Sequence, residues 1–144
     1  MRSSTVLAFA TAFVAAACAS EATQPDRGGV TPQQVQVGDT IRLRAGAMAR
    51  IGTSDVVVAF RRIEADSRCA IDVVCVWAGD AVVRIELTDD GRTWSPAILH
   101  SFLDPKAVDF SGYTFRLLEV APPNVSTKRT RPEDYVIALQ VQVR

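Results

Sequence analysis

The sequence predicts an all-β domain, an antiparallel β-sandwich or partly open barrel of about eight strands, and three observations predict it. Apolar residues recur at every second position in run after run, the signature of half-buried strands rather than helices. Turn formers separate the runs at short intervals: Ala45-Gly46, Gly52-Thr53-Ser54-Asp55, Asp89-Asp90-Gly91 and Ser111-Gly112. Short connections make neighbouring strands antiparallel. From Val35 to the C-terminus there are 110 residues, enough for one core and too few for two.

The chain opens with Met1-Arg2 and an apolar run from Val6 to Ala17, too short to span a bilayer but of signal-peptide length. Residues 1–17 are therefore read as a signal peptide. The small residues Ala15-Ala16-Ala17 before Cys18 resemble the lipobox of bacterial lipoproteins, with alanine at the position where leucine is usual. The resemblance implies that Cys18 is acylated and anchors the protein to a membrane. Ordinary small-x-small cleavage, giving a soluble secreted protein, is the alternative. Residues 18–34 are polar and hold Pro25, Gly28-Gly29 and Pro32, the composition of a flexible tether. Ala19 after the lipidated cysteine favours the outer membrane by resemblance to enterobacterial sorting, with the domain facing periplasm or surface.

Residues 35–144 form the domain. Ile41 and Leu43 alternate with Thr40, Arg42 and Arg44; Asp55 to Ile63 places Val56, Val58 and Phe60 on an inner face; Val83, Ile85 and Leu87 alternate with Arg84, Glu86 and Thr88. In Tyr113 to Val120 the apolar set slips from Phe115 and Leu117 to Leu118 and Val120, which predicts a bulge. The last run is the longest. Tyr135, Ile137, Leu139, Val141 and Val143 share one face, so a strand from about Asp134 to Val143 is expected at the centre of its sheet.

Between the second and third of these runs lies the most distinctive stretch, Asp66-Ser67-Arg68-Cys69-Ala70-Ile71-Asp72-Val73-Val74-Cys75-Val76-Trp77-Ala78-Gly79-Asp80. Two cysteines this close in an exported chain predict a disulfide, Cys69 to Cys75, whose small ring forces Ile71 to Val74 to loop. A ring of this size stabilises by roughly 2 kcal/mol in the loop-entropy treatment. Val76 to Gly79 is expected to enter a strand, with Trp77 lying over the sulfurs as an apolar lid. The stretch resembles a family of uncharacterised bacterial secreted proteins and lipoproteins marked by Asp-Ser-Arg-Cys-Pro, a short gap, then Cys-Val-Trp-Ala-Gly, with Ala70 here in place of the proline. That resemblance implies fold and compartment and no particular activity.

Three loops are candidates for function: the disulfide loop, Ser101 to Ala107, and Pro122 to Pro132 with Lys128, Arg129 and Arg131. Asp66, Asp72 and Trp77 join those basic residues as candidate binding positions. Asp66 and Asp72 also suit Asx-turn capping of loop amides. Together with Asp80 they are the candidates for a less favoured reading, a calcium-stabilised binding module. Removing residues 1–17 leaves 15 basic against 16 acidic side chains, a formal charge of −1, and no field for nucleic acid.

The single histidine, His100, sits on a strand without a nucleophile signature, and one histidine with paired cysteines is too little for a zinc site. Cys-x5-Cys is not the redox motif of thiol oxidoreductases. No enzyme, cofactor or metal is expected. The expected role is a lipid-anchored cell-envelope protein that binds or scaffolds an envelope protein or glycan. The alternative is a protease inhibitor presenting the Cys69–Cys75 loop as bait. An exposed Val73-Val74 favours the inhibitor, and a loop tucked under Trp77 favours the scaffold.

Overall fold

Alternation in the sequence becomes two facing sheets. The computed structural model describes residues 31–144, so the segment expected to be a signal peptide, Cys18 and most of the stretch expected to be a tether lie outside the described residues. Among the described residues nine strands follow in order: β1 (Gln33–Val35), β2 (Thr40–Arg44), β3 (Met48–Ile51), β4 (Val57–Asp66), β5 (Ala81–Thr88), β6 (Ser95–His100), β7 (Ala107–Phe110), β8 (Tyr113–Ala121) and β9 (Val136–Val143). A 3-10 turn at Pro132–Asp134 precedes β9. One sheet has the order β1-β3-β4-β5-β6 and the other β2-β9-β8-β7. Every pairing is antiparallel except that of β1 with β3. Both sheets are open, a sandwich rather than a closed barrel.

β1, β3 and β7 answer to no run named in the sequence. β1 begins at Gln33, inside the stretch expected to be tether, and it lies at a sheet edge, where pairing with Ala49 to Ile51 needs no apolar alternation.

The core is the set of alternating residues from both sheets. Ile41, Leu43, Phe115, Ile137, Leu139 and Val141 come from the four-stranded sheet, and Val58, Phe60, Val83, Ile85, Leu87 and Leu99 face them from the other. Each such side chain contributes about 1.5–3 kcal/mol on full burial. β9 is an interior strand between β2 and β8, as its pattern predicts. Val143, at the end of the strand, is exposed. The predicted bulge is present: the register of β8 against β9 shifts between Leu117 and Glu119, which turns Leu118 to solvent and returns Val120 to the core.

Strand directions gather the three candidate loops at one end. β4 climbs to it and β5 leaves it, β6 ends there where His100 pairs with Val82, and β8 ends there where Ala121 pairs with Val136.

Candidate functional site

The disulfide loop is the tip of the β4–β5 hairpin. Beyond the last strand pair, Asp66 with Ala81, the ladder continues: Ser67 N–H donates to Asp80 O at 2.8 Å, and Cys69 N–H donates to Ala78 O at 2.8 Å. Gly79 makes this approach possible. It has φ +70, and a Cβ there would lie 1.8 Å from the Ser67 carbonyl oxygen, so no other residue fits without moving backbone. Above the last rung the Cys69–Cys75 disulfide closes the predicted ring, with the Cα atoms 5.9 Å apart. Within it Ala70 to Val73 forms a turn, Val73 N–H donating to Ala70 O at 3.3 Å.

Trp77 does not cover the sulfurs, and Val76 to Gly79 is not strand. β5 begins only at Ala81, and Trp77 is 83% exposed. Val76 and Trp77 lie past the last rung, beyond the ends of β4 and β5. Val74 is fully exposed, Val76 is 94% exposed, and Ile71 and Val73 also face solvent. The ring therefore displays an apolar surface instead of burying one.

Under the tip, the residues around the first cysteine form a clamp. Arg68 grips Asp66 with two hydrogen bonds, Nε to Oδ1 at 2.9 Å and Nη2 to Oδ2 at 2.7 Å. It also donates to the carbonyls of Val120 and Pro122. Asp66 accepts from the Tyr135 hydroxyl at 3.0 Å and from Asn124 Nδ2 at 3.0 Å. It accepts as well from the Arg68 N–H, the Asx turn that the sequence suggests. Burial pushes the Asp66 carboxyl up, but the Arg68 guanidinium and the other donors outweigh it and hold its pKa below 3.8. Burial together with the Asp66 acceptor pushes the Tyr135 hydroxyl above its ordinary value. Asp72 caps the neighbouring loop, accepting from Ser126 N–H at 2.8 Å and Ser126 Oγ at 2.5 Å. Ile71 N–H donates to Asn124 O at 2.9 Å. Asp66 and Asp72, expected as binding residues, instead tie the tip to the β8–β9 loop.

Asp80 serves the third loop. Its Oδ2 lies 2.5 Å from His100 Nδ1, and its Oδ1 accepts from Phe102 N–H at 2.8 Å and Ser101 Oγ at 3.2 Å. Burial raises its pKa and these partners more than reverse the shift, leaving it lowered. Aspartate, histidine and serine thus meet, but the serine hydroxyl donates to the carboxylate and not to the imidazole. That is not the proton relay of a hydrolase. Asp66, Asp72 and Asp80 have separate partners, and among the described residues no group of three His, Cys, Asp or Glu side chains comes together to hold a metal ion. The calcium reading does not fit this arrangement.

The basic residues of the β8–β9 loop divide. Arg131 is paired with Asp134 at 2.8 Å, which raises its pKa. Lys128 and Arg129 are exposed and make no ion pair with a described residue. They line an open cleft of about 760 Å³ whose floor is the Asp66, Arg68 and Tyr135 clamp. In the Ser101 to Ala107 loop, Phe102 and Leu103 are exposed, and Lys106 Nζ lies 5.7 Å from the centre of the Phe102 ring. Sequence reading missed these two apolar side chains and the Asp80–His100 pair. The signal for the first was present, since Phe102-Leu103 stands immediately before the turn-forming Asp104-Pro105.

Compared with protein-family models, with curated proteins and with solved structures, the chain matches none.

Proposed function

We propose that the protein is a binding module of the bacterial cell envelope, held there by a lipid on Cys18, that makes contact through its stapled hairpin tip. One observation carries the reading: Ile71, Val74, Val76 and Trp77 are displayed to solvent on a backbone that a disulfide and the Arg68 clamp make rigid. Exposed apolar side chains are ordinary when scattered, but a cluster with a tryptophan on a pre-organised loop is the composition of a contact surface. Rigidity supports the reading further, because a constrained loop loses little entropy on binding. Asp66 and Arg68 act in this scheme as positioning residues.

The test is photocrosslinking in intact envelopes. A photoreactive side chain at position 77 should link the protein to an envelope component, while one at Leu118, exposed on the β8 bulge, should not. Equal linking at both positions, or none at 77, would contradict the proposal.

Full exposure of Val74 beside Val73 favours a second reading, a protease inhibitor with the ring as bait. Its test is incubation with serine proteases that cleave after small aliphatic residues. Stoichiometric inhibition with slow cleavage at Val73 or Val74 supports it, and rapid cleavage without inhibition excludes it.

A further inference from the structure

We infer that the tip is a wedge for a bilayer surface bearing anionic headgroups; this rests on the contact role proposed above and names its partner. The surface is convex. Val74, Val76 and Trp77 stand clear of neighbouring structure, so a folded partner would have to supply a matching recess, whereas a lipid interface yields to a projecting wedge. Tryptophan with aliphatic residues beside it is the composition that settles at the boundary between headgroups and acyl chains. A second apolar pair, Phe102 and Leu103, is displayed at the same end.

Charge agrees with this partner. Lys128 and Arg129 lie on the loop that is hydrogen-bonded to the ring through Asn124 and Ser126, and they make no ion pair with a described residue. Lys106 stands beside Phe102. Asp72 inside the ring keeps its negative charge while it accepts both donors of Ser126, and Asp104 is exposed beside Leu103, so the positive charge lies to the side of the ring, on Lys106, Lys128 and Arg129. These three cations beside an apolar tip complement an anionic lipid surface.

The experiment uses the mature chain with Cys18→Ser, so that no acyl chain contributes, and Trp94→Phe, so that Trp77 is the sole tryptophan. Vesicles of phosphatidylethanolamine, with and without phosphatidylglycerol, are the probe. On the anionic vesicles the Trp77 emission should shift to the blue and be quenched by brominated acyl chains. Val74→Asp should abolish both signals with melting unchanged. Lys128→Gln and Arg129→Gln should each weaken binding to anionic vesicles about fivefold. The Trp94-containing parent, measured by vesicle sedimentation, guards against a folding effect of Trp94→Phe. Absence of sedimentation and of the emission shift on both vesicle types would overturn the inference. If position 77 then still links to a protein in envelopes, the contact role stands and only the bilayer is excluded; if it links to nothing, both fail.

Discussion

Asp66, Arg68 and Gly79 show how densely single residues are used beneath the tip. Gly79 gives the clearest case: Gly79→Ala drives a Cβ into the Ser67 carbonyl at a positive φ, and the expected loss is at least about 2 kcal/mol. Thermal melting checks it. Asp66→Asn leaves the Arg68 guanidinium without its charged partner in a largely buried position, and the expected loss is about 3 kcal/mol. The same residue makes a pH prediction. Asp66 and Asp80 both have folded-state pKa values below 3.8, so their stabilisation is fully present above that pH and disappears as pH falls through the lowered values. The melting temperature should fall as the pH is taken below about 4, and the fall should be shallower in Asp80→Asn. An unchanged slope in that variant would contradict the assignment. Little of this was legible in the sequence. An Asx turn at Asp66 follows from spacing, but Arg68 reaching Pro122 and Asp80 reaching His100 are contacts between residues distant in the chain, and no local pattern announces them.

At the scale of elements the sequence was far more informative. Period-two alternation identified β2, β5 and β9 with their inward faces, and the one-residue slip in β8 announced its bulge, because a strand buried on one face must record its register in its side chains. β1 escaped because an edge strand held by backbone pairing need not carry such a record. Trp77 was misplaced for a related reason: a large apolar residue implies burial only where an opposing layer exists, and whether one stands above the end of a hairpin is a matter of topology. Two predictions belong here. A chain ending at Arg131 lacks the interior strand β9 and should show no cooperative melting, as calorimetry can check. Cys69→Ala with Cys75→Ala should lower stability by about 2 kcal/mol. It should also weaken contact at the tip, since an unstapled ring must be ordered on binding.

For the whole molecule, sandwich architecture separates the core from the displayed apolar surface. The core lies between the sheets, while seven of the eleven exposed large apolar side chains among the described residues stand on two loops at one end, Ile71 to Trp77 and Phe102-Leu103. Strand order alone brings these loops together with the basic β8–β9 loop. The three loops were each visible in the sequence as breaks in alternation. Their convergence was not, because it depends on which strands neighbour one another. If the tip makes the contact proposed for it and the rest supports it, one variant separates the two: Trp77→Ala with Val76→Ser, in residues 18–144 carrying Cys18→Ser, measured for melting and for binding to isolated envelopes. The expected result is stability within about 0.5 kcal/mol of the parent, as for exposed positions, together with loss of envelope binding. A variant that binds as the parent does, or one that loses stability along with binding, would contradict it.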